Sequence, residues 1–489
     1  MTEIHSAARL SDTRFVDRLR QVAGIAGPVV LTSATTVVLG LTDTALLGHH
    51  STQALGTAAL VVPIWVFCTA LVVPWGSATQ VCVARWHGAG DADSIQGLAR
   101  TGLFAVLGIG TVFALATAIA APAIIALTAP PSLDRAEATV MLWVLLCGLP
   151  FSAATAHVRG VLAGTGDTVS GAWNAVAVAA LNSALSAVLI FGAGLGPVGA
   201  AIGSSIAVIA GTGGLCLQAR AILSFEKGSA RAADGLLPAW SALAIPDVVF
   251  GMVSYGSDAL IASLVATTGT VVLAAHRLMS LAISIVWMFV FGTAVAISVL
   301  VGQRLGAGDE HGRRAVVRAG TVLMLAASCG TALLIAVAAP VFFRLFTDDS
   351  AVTAAASTVV WTLPVLAPIM AMGTVYAAQL RAAGDTKGVM YVSLFSVGVT
   401  LPTVWMFTVV WQWGLSGVYC AIVVGWIART AATYFRYGHQ VKRCGSGHLL
   451  IRESLDVPVV DLPEAEFPRI TTSGFIGRPS AAGRCRVCR

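Results

Sequence analysis

Residues 85–91 read RWHGAGD, and residues 303–309 read QRLGAGD. They lie 218 positions apart, and the same displacement carries GTGDT at 164–168 onto AAGDT at 382–386. It also carries Pro28 onto Pro246, Pro150 onto Pro368, and the pair Gly196 and Gly199 onto Gly414 and Gly417. One offset shared by anchors spread over both halves of a 489-residue chain marks an internal duplication. The short motifs themselves read as turns, in which Gly supplies a positive φ and Asp caps the helix that follows. They lack the Gly-Lys-Ser/Thr ending of a nucleotide-binding loop.

The sequence between these turns is apolar. Hydrophobic residues make up 57% of the chain and charged ones 11%, where a soluble protein carries roughly 25% charged residues. Twelve stretches long enough to cross roughly 30 Å of hydrocarbon run between residues 22 and 437. Hydrocarbon offers the backbone no hydrogen-bond partner, so the spans are helices. The expected fold is an all-α polytopic membrane protein with twelve transmembrane helices in two parallel six-helix repeats. Its divisions are an N-terminal segment 1–21, an N-lobe 22–221, a linker 222–241, a C-lobe 242–438 and a flexible polar tail 439–489. The second, seventh, ninth and tenth spans are expected at 54–83, 242–268, 315–345 and 354–380. Each half crosses an even number of times, so both run in one sense, about an axis along the membrane normal, with a substrate cleft between them.

Basic residues orient the chain. With a cytoplasmic N-terminus, 19 Lys and Arg up to Arg443 fall on inside segments and only Arg135 and Arg344 on outside loops. Both termini are therefore expected in the cytoplasm of a multi-pass cell (inner or plasma) membrane protein. The net charge of +6 faces anionic lipid and calls for no nucleic acid. No cleavable signal peptide is evident at the N-terminus. Cys68, Cys82, Cys147, Cys216, Cys329 and Cys420 lie in apolar segments and read as small buried hydrophobes. Cys444, Cys485, Cys488 and His448 in the tail have irregular spacing for a zinc site.

The pattern Pro28-x14-Asp43, GAGD after the second span, LAGTGDT after the fourth, LAAHRL into the eighth, VGQRLGAGD after it and LRAAGDTK after the tenth resembles the multidrug and toxic compound extrusion (MATE) family, and within it the DinF-like branch. The likeness covers about residues 15 to 440. It implies a V-shaped pair of six-helix lobes and efflux of organic, often cationic, compounds in exchange for Na+ or H+.

Within the spans the only acids are Asp43, Asp247 and Asp258, and each is costly enough at mid-membrane to require a protein or water environment. Asp43 shares a helical stripe with Thr32, Thr36 and Leu39. It offers a protonation site or, with the two hydroxyls, oxygen ligands for Na+; the alternative is a carboxylate bonded to a neighbouring helix for packing. The resemblance puts the family's cation-coupling aspartate at Asp43 and its fifth-helix asparagine at Asn182. Four residues on, the family's frequent aspartate is Ser186 here, which tilts the expected coupling ion toward H+. By the 218-residue offset Asp43 falls on Ile261, so the acid is not demanded by the duplicated scaffold.

Asp247 follows Pro246 and reads chiefly as a cap on the seventh helix. Asp258 reads equally as a cavity residue or as one half of a structural pair with Arg277 or His276. The expected cation-coupling set is Asp43, Thr36, Asn182 and Ser186. The expected substrate cavity draws on Pro28, Thr32, Gln80, Asp258, His276, Trp287 and Met279, with Met372 and Tyr376 as further adaptable walls. No cofactor is expected; the ions involved are transported H+ or Na+, with a transient Na+ at Asp43 as the one metal possibility. The partners are lipid and a small-molecule substrate, and the working unit is a monomer. A lipid-linked saccharide flippase of related architecture is the alternative, but it calls for several Arg or Lys in the cavity, and away from the cytoplasmic helix ends, where Arg159 and Arg381 lie, the candidates are Arg277 and Arg429. No cluster of His ligands and no Ser/His/Asp constellation supports an enzyme.

Overall fold

The computed structural model describes residues 2–128, 133–223, 236–266, 269–346 and 349–444. The first half comprises α1 (Thr2–His50), α2 (Thr52–Val72), α3 (Pro74–Ala89), α4 (Ala92–Thr128), α5 (Arg135–Cys147), α6 (Leu149–Thr165), α7 (Val169–Ala187), α8 (Gly196–Gln218) and the short α9 (Arg220–Leu223). The second comprises α10 (Leu236–Ala266), α11 (Thr270–Gly306), α12 (Glu310–Val337), α13 (Ala339–Arg344), α14 (Ser350–Val359), α15 (Thr362–Ala382), α16 (Thr386–Trp405) and α17 (Gly414–Cys444). Twelve helical segments among the described residues are long and apolar enough to cross a membrane, as expected.

Proline decides where spans break, because it removes an N–H and crowds the preceding turn. The second span is thus two helices, with Pro74 starting α3, and it continues to Ala89 rather than ending at 83. The ninth ends at Val337, and Pro340 starts the separate α13. The tenth is α15 alone, with α14 a short helix before it. The seventh starts at Leu236, so the last residues of the expected linker are helical. The expected N-terminal segment is also helical, as the leading turns of α1. The first residues of the expected tail, 439–444 with Cys444, are helical as the end of α17; linker residues 224–235 and the tail from residue 445, with Cys485, Cys488 and His448, lie outside the described residues.

The duplication is visible in detail. Turn glycines Gly90, Gly166, Gly308 and Gly384 all have positive φ. The aspartates beside them accept backbone N–H groups three residues on: Asp91 from Ser94, Asp167 from Ser170, Asp309 from Gly312 and Asp385 from Gly388. Both halves widen into a π-helical turn, Val188–Gly192 and Met406–Val410, 218 residues apart. Thr212 donates to the Phe151 carbonyl, and its counterpart Thr430 donates to that of Ile369. One anchor behaves differently, since Pro150 sits in the first turn of α6 whereas Pro368 lies within α15.

The halves meet through the motif that opened the sequence. A Cβ on Gly88 would overlap the backbone of Gln303, and one on Gly306 would overlap the backbone of Arg85. Moving Gly88 forward and Gln303 back by 218 turns the first pair into the second. Arg85 Nε donates to the Ala382 carbonyl at 2.8 Å, while Gln303 Nε2 donates to that of Gly164 at 3.0 Å, again a reciprocal pair. A Cβ on Gly302 would come within 3.0 Å of the Cβ of its own counterpart, Ala84, which marks where the pseudo-twofold axis passes. Such exchange of equivalent residues is the mark of a twofold interface. It confirms parallel repeats, with all four turn motifs on one face, here called the turn face.

Each lobe keeps its own core, and a third apolar cluster seals the seam near the turn face. There Val22, Ile25 and Ala26 of α1 pack with Ile297, Leu300, Met324 and Val375. Farther along α1, Leu31, Val37, Val38 and Leu41 are exposed. The side chain of Trp240, on α10, is buried in the N-lobe core and donates to Thr79 Oγ1 at 3.0 Å. Thr79 also meets His157 Nδ1 at 2.9 Å, and His157 Nε2 bonds the Ala99 carbonyl, giving His157 a satisfied structural role.

Candidate functional site

Asp43 lies in the second half of α1, beyond the seam, and is half-buried. Its Oδ1 is buried and has no hydrogen-bond partner among the described residues. Burying an unpaired charge costs several kcal/mol, so this carboxyl group is suited to exist with a proton or a cation. The packing alternative, a carboxylate bonded to a neighbouring helix, has no hydrogen bond behind it among the described residues.

The other expected coupling residues are not gathered around it. Thr32 donates to the Pro28 carbonyl and Thr36 to that of Thr32, each at 3.0 Å, so both hydroxyl protons serve α1 itself. Thr36 is two helical turns from Asp43, about 10 Å along the axis. Asn182 Nδ2 donates to Ser204 Oγ at 2.9 Å, and Ser186 Oγ donates to Asn182 Oδ1 at 2.8 Å, a closed network in the buried α7–α8 interface. The missing aspartate at 186 is thereby replaced by packing, with Gly203 of α8 close against Ser186.

In the first half, Pro28 and Gln80 are half-buried on α1 and α3. In the C-lobe, Asp258 is exposed and forms no ion pair with Arg277 or His276 among the described residues, so the pairing alternative falls. His276 instead meets the buried Tyr419, whose hydroxyl lies 3.1 Å from Nδ1. Met279 is fully buried in the C-lobe core, which removes it from the cavity: its helix face points into the lobe. Met372 and Tyr376 line a groove of about 510 Å³ with Ile427 and Tyr434.

Asp247 corrects the sequence reading most. It lies eleven residues inside α10, too deep to cap it, and is buried. Arg381 Nε donates to its Oδ1 at 3.2 Å. The Arg381 guanidinium also sits 4.8 Å from the centre of the Phe250 ring, and that of Arg429 sits 5.1 Å from the same ring and 4.8 Å from Trp426. Trp287 stands 5.8 Å from Trp426. Four helices, α10, α11, α15 and α17, therefore place two guanidiniums, one carboxylate and three aromatic rings together. The partners are far apart in sequence, and the only available signal was the rarity of Arg within spans.

The MatE family model matches residues 28–188 and 248–406, well over half of the chain. The chain belongs to the MatE family. As a MatE protein it is a membrane transporter and not an enzyme. It is 25% identical over 447 residues to the Thermotoga maritima protein named "probable multidrug resistance protein NorM", covering 87% of this chain and 93% of that one. In fold it matches a mutant of the Vibrio cholerae MATE transporter VcmN, with a TM-score of 0.82 and 20% identity over 90% of this chain and all of that one. It also matches a structure described as the outward-facing conformation of a multidrug resistance MATE family transporter, with a TM-score of 0.80 and 18% identity, over 87% and 96% of the two chains. The two segments matched by the MatE model start at Pro28 and Val248, one at the first half's helix proline and the other two residues after its repeat, Pro246.

Proposed function

We propose that this MatE transporter is a secondary active exporter of the DinF-like branch. It moves drug-like, hydrophobic or cationic organic compounds outward by alternating access, in exchange for H+, with Asp43 as the coupling group. The name of the Thermotoga maritima relative supports the drug-exporting part of this reading. The observation that carries the coupling is the buried, unpartnered Oδ1 of Asp43. Proton is preferred over Na+ because the neutral oxygens expected to complete a Na+ shell, at Thr36, Asn182 and Ser186, are two turns away or bonded to one another.

Coupling requires proton and substrate to favour different states of the two lobes or to compete for one site. A charge moved through about 100 mV supplies roughly 2.3 kcal/mol. With both termini cytoplasmic in the plasma membrane, the turn face is the inner face, and a monomer contains the whole cleft. The test is efflux from vesicles under an imposed pH gradient and then an imposed Na+ gradient. Wild-type protein is expected to respond to the pH gradient, and Asp43→Asn to lose that response while remaining inserted. Gradient-driven transport at the wild-type rate by Asp43→Asn would overturn the assignment.

A further inference from the structure

The C-lobe cluster carries an imbalance that neither the scaffold nor Asp43 coupling explains. Its one carboxylate, Asp247, is taken by Arg381. Arg429 has no carboxylate or carbonyl partner among the described residues and is held only by the faces of Phe250 and Trp426. The other acid on these helices, Asp258, stands eleven residues farther along α10, and Asp385, in the turn between α15 and α16, is occupied by Arg436 at 2.7 Å. None of this is inherited from the duplication. Counting back 218 residues, Asp247, Phe250, Arg381, Trp426 and Arg429 fall on Val29, Thr32, Ala163, Val208 and Gly211. Arg429 lies 15 residues into α17, about 22 Å along a helix that spans the membrane. A guanidinium at that depth is exceptional and marks a ligand path.

We propose that Arg429, backed by Arg381 and walled by Trp287, Phe250 and Trp426, binds the carboxylate of an aromatic organic anion during transport. This adds an anionic class to the hydrophobic and cationic substrates proposed above and rests on that efflux reading. A guanidinium offers a planar fork of N–H donors that matches a carboxylate in two parallel bonds. Ring faces already steer the Arg429 fork, and the paired tryptophans offer a stacking surface to an aromatic body. With Arg381 committed to Asp247, one guanidinium stays open. That suits a monoanion and not the pyrophosphate of a lipid-linked saccharide.

The test uses full-length protein in nanodiscs with no ion gradient, so it is independent of Asp43-driven transport. Equilibrium dialysis compares pyrenebutyrate with pyrenebutanol, which share ring and chain and differ in charge. The acid is expected to bind at least tenfold tighter. Arg429→Gln should erase that preference without weakening the alcohol, Arg429→Lys should keep part of it, and Asp247→Asn, by releasing Arg381, should tighten the acid several-fold. Equal binding of acid and alcohol by wild-type protein overturns the proposal, as does an undiminished preference in Arg429→Gln. If Arg429→Gln binds neither probe, Arg429→Lys decides: a surviving preference for the acid upholds the site, and its absence removes it. Nanodiscs of phosphatidylcholine and of phosphatidylglycerol separate the two sources of anion. A preference present in both supports a substrate site, and one abolished by phosphatidylglycerol assigns the cluster to a lipid headgroup and overturns it.

Discussion

Arg85 and Gln303 stand at equivalent positions and do the same work, each reaching across the seam to a carbonyl of the other lobe. Asp43 and Ile261 also stand at equivalent positions and share nothing: one is a membrane carboxyl whose Oδ1 has no hydrogen-bond partner among the described residues, the other a buried member of the C-lobe core. Arg429 and Gly211 repeat the contrast with the opposite sign of charge. Where the halves touch, twofold geometry requires each to satisfy the other, and sequence drift is limited by close packing. Away from the axis the halves face different groups and are free to diverge. Chemistry has accumulated there: a lone carboxyl on α1 in one lobe, and two arginines beside a carboxylate in the other.

The largest effect should come from forcing symmetry on the lobe interiors. Ile261→Asp places a charge in a packed core at membrane depth and should cost about 2.5–3.5 kcal/mol, seen as a marked fall in the melting temperature of the purified protein. A melting temperature equal to wild type would mean that the C-lobe tolerates an acid as the N-lobe does. Next comes the seam. Gly88→Leu and Gly306→Leu each drive a side chain into opposing backbone and should cost about 1–3 kcal/mol. The two losses should be similar, and strongly unequal values would break the twofold description.

The capping aspartates offer a smaller test. Asp167→Ala removes one cap, worth about 1 kcal/mol, whereas Asp385→Ala also strands Arg436 and should cost more; the same thermal assay ranks them. Smallest is the backbone pair that follows the π-helical turns, Gly194 at φ 67° and Gln412 at φ 53°. Gln412→Gly should leave stability unchanged or raise it by under about 1 kcal/mol, and Gly194→Ala should lower it by roughly 1 kcal/mol. A loss of stability in Gln412→Gly would show that the glutamine side chain, and not the turn, is what that position needs.

Repeat, crossing number and turn chemistry were legible because each depends on local spacing: a helix must be long enough, a turn needs glycine, and a cap needs an acid beside it. Asp43 was legible because a charge inside an apolar stretch stands out. The Asp247 cap was misread because the start of α10 lies ten residues before Pro246, where the composition resembles a linker. The Asp247–Arg381 pair joins residues 134 apart, and Thr36, Asn182 and Ser186 form their hydrogen bonds with groups other than Asp43 among the described residues.

Twelve membrane crossings in two like halves follow from the order of residues alone, because hydrocarbon forces every apolar stretch to satisfy its backbone as a helix. Which charges meet is set by the packing of the helices. Pairing depends on which faces of distant helices converge, and in this protein that convergence left Asp43 Oδ1 without a hydrogen bond among the described residues, gave Asp247 to Arg381, and set Arg429 against aromatic rings.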